Sequence, residues 1–252
     1  MLPKFNTVYG YSIRHLSSGQ TRVTGGCMCG RFVQAAAPGA YVKPLSLQGE
    51  LFGEVSDTPI ERYNVAPSTG VWVLTSEEGG ARSQTLRWGW EPHWAKGGKP
   101  PAINARAETL WTSKFWAAAR HHRLIVPADG WYEWVAAEGK QPYFIHAADK
   151  APLYFAAVGL FPTQTRAEQH DDGFAIVTGA ASGGLLDIHD RCPLALSTAV
   201  APEWLDNATP AERIEEVVAL AGLPADAFTW FRVDRSVGNV KNQGQALIAA
   251  IV

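Results

Sequence analysis

Cys29 stands directly behind a methionine in the run Met28-Cys29-Gly30-Arg31-Phe32, with 27 residues ahead of Met28. If Met28 is the true start and is then removed, Cys29 carries a free α-amine beside its thiol. Such a 1,2-aminothiol condenses with an aldehyde: the amine forms an imine and the thiolate closes it to a five-membered thiazolidine. An internal cysteine cannot do this, because its nitrogen is an amide. The free amine, with a reference pKa of about 7.7–8.0, is partly neutral at pH 7 and able to attack.

Three other segments place reactive side chains where an apolar pattern breaks. In Asn104-Ala105-Arg106-Ala107-Glu108, Arg106 offers either a forked guanidinium to a phosphate or a surface ion pair to Glu108. In Asp129-Gly130-Trp131-Tyr132-Glu133-Trp134, a carboxyl is set among three aromatics. Desolvation there raises its pKa and suits it to proton transfer near neutrality, whereas alternation could instead turn Glu133 to solvent and the rings inward. Asp187-Ile188-His189-Asp190-Arg191-Cys192-Pro193 sets a histidine between acids, next to an arginine able to hold an anion; the same residues also make an ordinary well-bonded loop. Cys27, Cys29, His189 and Cys192 are soft ligand types, but Cys-x-Cys is a less usual zinc spacing than Cys-x-x-Cys. No metal and no cofactor is expected.

The elements that must hold these groups read as short strands broken by turn residues. Strands are expected at Val71–Leu74, Thr85–Trp90, Leu124–Pro127, Tyr143–His146, Leu153–Gly159, Phe174–Thr178, Leu194–Ser197 and Thr229–Val233, all rich in β-branched or aromatic residues. Ala211–Leu220 reads as a helix with Thr209 at the cap, Pro210 in the first turn and Gly222 past the end. A second helix, or two shorter pieces, is expected over Ala105–His121. Gly-Gly pairs at 79–80, 97–98 and 183–184 mark loops rather than domain linkers. The pattern is that of one compact α+β domain: a mixed, mainly antiparallel sheet or barrel with a few flanking helices.

Composition narrows the function classes. A chain of 252 residues with net charge −2 announces no nucleic-acid partner globally, so any such site must be a local basic patch. Ten tryptophans exceed what a core of this size needs and can serve core packing or base stacking. Three cysteines without regular spacing argue against a disulfide framework and for a reducing compartment. No apolar run approaches a membrane span, and residues 1–27 lack the apolar stretch of a secretory signal. Lys4, Arg14 and Arg22 without any acid give that segment a faint transit-peptide character. The simpler expectation is that 1–27 is a start assigned too far upstream or a short removable propeptide, and that the domain runs from 28 to 252.

Taken in order, seven stretches resemble the SOS-response-associated peptidase (SRAP) family, also called abasic-site processing proteins. They are Met28–Phe32, Arg62-Tyr63-Asn64-Val65-Ala66-Pro67, Trp88-Gly89-Trp90, Ile103–Thr109, Ala128–Trp134, Ile188–Leu194 and Val237-Gly238-Asn239-Val240-Lys241-Asn242. Cys192 departs from the pattern, where Arg or Met is expected. The resemblance implies a single SRAP-like domain that binds single-stranded DNA, or single-strand/duplex junctions, around an abasic site. It implies Cys29 as the nucleophile that bonds to the ring-opened sugar aldehyde, with Asn104, Glu133 and His189 as the other active-site residues. Arg31, Arg106 and Arg191 match DNA-contacting positions, and Trp94, Trp134 and Thr178 join that set. A peptidase activity that exposes the Cys29 amine, or an aminopeptidase that does so, is implied as well. The expected protein is a monomer, cytoplasmic and nucleoid-associated on damaged DNA. Two other classes stay open: a cysteine peptidase acting on external substrates through Cys29 and His189, and a passive single-strand-binding module.

Overall fold

A computed structural model of the chain describes residues 29–98 and 100–251. Expectations that fall on Cys27, Met28 and residues 1–27 lie outside the described residues.

The strands, in chain order, are β1 (Phe32–Gln34), β2 (Glu50–Phe52), β3 (Arg62–Val65), β4 (Gly70–Glu77), β5 (Gly80–Arg87), β6 (Asn104–Arg106) and β7 (Arg123–Ala128). They continue with β8 (Gly130–Val135), β9 (Gln141–Ala147), β10 (Leu153–Leu160), β11 (Gly173–Ala180), β12 (Arg191–Pro193), β13 (Ala195–Leu196) and β14 (Phe228–Arg232). The helices are α1 (Pro38–Val42), α2 (Ala107–Leu110), α3 (Val200–Leu205) and α4 (Ala211–Leu220). A five-stranded sheet runs β14-β9-β8-β1-β3, and a second runs β12-β11-β10-β7-β4-β5-β2, with β13 added to β10 and β6 to β11. Pairing is antiparallel except for β2 with β5 and β6 with β11. The fold is therefore α+β, with antiparallel-rich curled sheets and few helices.

Alternation along each strand explains three apolar layers. Phe32, Trp131, Ile145 and Phe228 of the smaller sheet share one cluster with Val73, Val126, Phe155, Phe174 and Ile176 of the larger. The two sheets thus face each other. The intervening residues point the opposite way: Val33, Tyr132 and Phe144 pack under Val233, Val237 and Leu247 near the C-terminus. On the far side of the larger sheet, Leu74, Ile125, Tyr154, Ala156 and Val177 are covered by Trp204, Leu205, Ile214 and Val217 of α3 and α4. Strand β10 is buried on both faces, which is why its sequence is an unbroken apolar run.

Several expectations shift in detail. The helix expected over Ala105–His121 is not continuous: Ala105 lies in β6, α2 is a single turn, and a 3-10 turn spans Lys114–Trp116. The parallel pairing of β6 with β11 takes the first residues, and the Ser113 side chain accepts from Phe115 N–H to restart the chain (3.2 Å). The aromatics there pack rather than line a helix face: Trp116 stacks on Trp90 at 5.5 Å. Helix α4 spans the expected residues, but Thr209 does not cap it; its hydroxyl donates to Glu203 O (2.8 Å), and Pro210 occupies the cap position. Among the described residues no helix is long and apolar enough to cross a membrane.

Candidate functional site

Strand β8 turns the chemistry inward. Gly130 opens it where a Cβ would fall 2.4 Å from Ile145 O, so a side chain there would push β8 away from β9. Asp129, just before it, accepts from Ala35 N–H (2.6 Å) and the Tyr41 hydroxyl (2.8 Å) and so ties β8 to the end of β1. From this anchor the alternation runs Trp131 inward, Tyr132 outward, Glu133 inward, Trp134 outward. Glu133 is only 2% exposed. The choice left open by its sequence is settled for the interior.

Register then brings the N-terminal cysteine to that carboxyl. Phe32 pairs with Trp131 in the antiparallel β1–β8 ladder, and Tyr132 N–H donates to Arg31 O (3.0 Å), so the chain before β1 runs alongside Glu133. Cys29 N–H donates to Glu133 Oε1 at 2.9 Å. In this chain that nitrogen is an amide; it stands where the α-amine would be once Met28 is gone. Cys29 is fully buried and adopts φ = 38°, a left-handed conformation uncommon outside glycine. Burial pushes the Glu133 pKa up to about 8; the Cys29 N–H works against the rise and the Asp190 charge adds to it. Glu133 is thus a carboxylic acid that holds its proton at neutral pH, one hydrogen bond from the Cys29 nitrogen.

The larger sheet supplies the opposite wall. Strand β11 carries β6 on one side and β12 on the other, with Ile176 opposite Asn104, Thr178 opposite Arg106 and Gly179 opposite Cys192. Ile103, Ile188 and Cys192 pack against the same apolar cluster to which Cys29 belongs, and Cys192 is close enough to Glu133 to feel its charge. Burial raises the Cys192 thiol pKa to about 11; nearby Arg191 lowers it and the Glu133 charge raises it further. His189 lies in the turn before β12, with its Nδ1 2.9 Å from Asp190 Oδ1 and 3.0 Å from Arg191 N.

The expected DNA-binding residues fall into two groups, with Trp94 apart from both. Arg31, just before β1, and Trp134 of β8 lie on the outward side of the smaller sheet. Arg31 donates to Asn64 Oδ1 (2.9 Å) and Val237 O (3.0 Å), with its guanidinium 5.9 Å from the Trp134 ring centroid. Arg106, Thr178 and Arg191 belong to β6, β11 and β12. Arg106 is exposed and forms no ion pair among the described residues. Glu108, weighed as its partner, is instead held by Arg191 in a bidentate pair (2.6 and 2.9 Å), and that bond draws the Glu108 pKa down. Arg191 also donates to Thr178 O (2.5 Å), yet its buried Nε has no acceptor among the described residues. Thr178 is fully buried, with both its carbonyl and its hydroxyl oxygen accepting from Arg191. Trp94 is 70% exposed and leans edge-on to Phe115 at 6.2 Å, whereas Trp88, Trp90, Trp131 and Trp204 are core.

Asn64 is the residue whose role the sequence concealed. Its amide donates to Val237 O (3.1 Å), Asn239 O (3.0 Å) and Asn242 O (3.2 Å), while its oxygen accepts from Arg31. One buried side chain therefore gathers the C-terminal turn and aims the arginine next to the cysteine. Its partners lie more than 170 positions away along the chain, so nothing local in Arg62-Tyr63-Asn64-Val65 marks it. Among the described residues no three His, Cys, Asp or Glu side chains are grouped to hold a metal ion.

Residues 28–240 match the SOS response associated peptidase (SRAP) family. An abasic site processing protein of Escherichia coli, YedK, is 42% identical over 226 residues, covering 89% of this chain and 100% of its own. The Bacillus subtilis abasic site processing protein YoaM is 31% identical over 230 residues, covering 88% and 98%. Among solved structures, a phage-related protein from Bordetella bronchiseptica superposes with TM-score 0.67 at 38% identity, over 82% of this chain and 95% of that one. A protein from Bacteroides thetaiotaomicron shares the fold with TM-score 0.68 at 19% identity, over 89% and 100%.

Proposed function

The chain belongs to the SRAP family, and on that premise we propose that it is a DNA repair protein that attaches itself covalently to abasic sites through Cys29. The observation that carries this reading is the 2.9 Å hydrogen bond between the Cys29 nitrogen and a buried Glu133 whose pKa is raised to about 8. An abasic deoxyribose equilibrates between a closed hemiacetal and an open aldehyde. The Cys29 amine adds to the aldehyde carbon C1′ to give a carbinolamine. Glu133 delivers a proton to the departing hydroxyl, water leaves and an imine remains. The thiolate then adds to the imine carbon, the nitrogen takes back a proton, and the product is a thiazolidine. His189 moves the proton that opens the sugar, and Asn104, at the end of β6, orients the sugar or the amine.

The basic and aromatic residues fit the same substrate. Arg106 is open to solvent, Arg191 keeps an unused buried N–H, and Trp94 offers an exposed ring to a base. A missing base removes part of the cost of pulling the sugar out of a stack. The partner is single-stranded DNA, including its junctions with duplex, and the protein acts as a cytoplasmic monomer.

The bond between Met28 and Cys29 must be broken first, by the protein itself or by an aminopeptidase. The test uses protein beginning at Cys29 and uracil-containing single-stranded DNA treated with uracil glycosylase, run on a denaturing gel. A shifted band with wild type and none with Cys29→Ala is expected; no shift with wild type overturns the proposal. Chain that retains residues 1–28, verified by intact mass, is expected to give no band. Cys29-dependent turnover of unrelated peptides without any DNA adduct would point to a peptidase instead.

A further inference from the structure

We propose that residues 1–27, where the chain retains them, dock in a groove between α4 and the edge strand β12, as a propeptide packed against the domain it precedes. The inference goes beyond the abasic reading and stands apart from it, since no DNA enters its test.

The groove has a volume of about 810 Å³ and lies between α2, α4 and the β11–β12 edge. Its floor is apolar: Leu185, Leu194 and Val218 are buried beneath it, and Leu223 is half-buried. A Cβ added at Gly179 would meet nothing within 4 Å, so the floor is open there. On the wall, Leu220 is 83% exposed, the most of any large apolar side chain among the described residues. An exposed leucine beside an open apolar floor marks a surface that a partner segment covers.

The charge on the rim says what kind of segment. Glu108, Glu212, Glu215 and Glu216 line the groove, and no lysine or arginine is among its described lining residues. Glu108 is bonded to Arg191 and Glu216 to Arg213, whereas Glu212 and Glu215 form no ion pair among the described residues. Such a rim repels a phosphate backbone and favours a cationic, apolar occupant. Residues 1–27 have that chemistry. They hold Lys4, Arg14 and Arg22 and none of the chain's 24 acids, while Phe5, Tyr9, Ile13 and Leu16 supply apolar surface. Cys29, where the described residues begin, and Cys192, a groove residue, both meet one apolar cluster between the sheets. A segment of 27 residues spans up to roughly 90 Å, so reach sets no limit. Tethering gives it an effective concentration in the millimolar range, so an intrinsic Kd of about 100 μM makes the docked form about tenfold the commoner.

The test titrates protein beginning at Cys29 with a synthetic peptide of residues 1–27, followed by calorimetry and by 15N–1H NMR. Binding is expected with a Kd of about 100 μM, weaker in high salt, with shifts at Trp111, Gly179 and Leu220. Glu212→Gln/Glu215→Gln should weaken it about fivefold and Leu220→Ser about threefold. All three side chains are exposed, and thermal melts check that the fold is kept. Glu78→Gln, at an exposed acid of the β4–β5 turn outside the groove, leaves binding unchanged. In full chain, verified by intact mass to begin at Met1, trypsin should cut after Arg14 and Arg22 about fourfold more slowly than in the same chain carrying Glu212→Gln/Glu215→Gln. No binding, binding that the groove variants leave unchanged, or shifts confined to the strands beside Arg31 and Arg106 overturns the proposal. Protection that disappears on dilution would seat the segment in a second copy and overturns docking within one chain.

Discussion

Two glutamates are buried to the same depth in two different hairpins, and only one of them is equipped to react. Glu77 ends β4, is 4% exposed and is surrounded by donors: Arg82 Nε (2.7 Å), Gln164 N–H (3.1 Å) and Glu78 N–H (3.3 Å). Glu133 is 2% exposed and accepts from Cys29 N–H, and among the described residues no cation is bonded to it. Burial alone is therefore not the signal. A buried carboxylate matched by a guanidinium holds a hairpin together, while one left with a single amide and a nearby negative charge keeps its proton. On the proposed reading, proton chemistry belongs to the β1–β8 seam and the β4–β5 turn is structural.

The comparison breaks most visibly by removing each carboxyl in turn. Glu133→Gln, in protein beginning at Cys29, is expected to slow crosslinking at pH 7 by about a hundredfold, the low end of what a positioned acid contributes. Glu77→Gln should leave that rate unchanged and lower stability by about 2–3 kcal/mol, because Arg82 loses its partner but can still reach solvent. That corresponds to a fall in Tm of roughly 4–12 °C for a chain of this size. A Glu77→Gln variant that is stable yet slow to crosslink would contradict the division between the two sites.

The pH dependence of stability sharpens the same contrast. The folded pKa of Glu133 lies above its unfolded value, so the folded state binds the extra proton between them. Its burial costs nothing below about pH 4, where both states are protonated, and costs progressively more up to about pH 8. Glu133→Gln should therefore gain on wild type in thermal melts as pH rises from 4 to 9. A constant difference across that range would show that Glu133 titrates normally. Smaller effects belong to the rim. Trp94→Ala should weaken single-strand binding about fivefold with stability unchanged, as loss of one stacked base implies. Glu108→Gln should tighten it two- to threefold by releasing Arg191, an effect that fades in high salt.

The sequence shows strands clearly where burial makes them continuous. Leu153–Leu160 and Gly173–Ala180 are buried almost throughout, and their apolar runs give them away. Strands such as Arg62–Val65, Asn104–Arg106 and Arg191–Pro193 are three or four residues long and carry polar side chains. They exist through their pairing, so no local periodicity announces them, and Ala105 and Arg106 were absorbed into a helical expectation. The site divides the same way. The unusual surroundings of Glu133 were visible in its neighbours, but its direction depended on the register with β1. The capture of Glu108 by Arg191 joins residues 83 positions apart and could not be read locally. The Asn64 hub is invisible for the same reason.

The left-handed torsion at Cys29 has a consequence for processing. A φ angle exists only while a carbonyl precedes the nitrogen, so cutting after Met28 abolishes the constraint. A non-glycine residue in that region costs on the order of 1–3 kcal/mol. Any leader thus loads the terminus like a wound spring fixed at the bond that blocks the amine. In the proposed chemistry, scission would both bare the reagent and unwind it, leaving the new terminus free to turn towards an aldehyde.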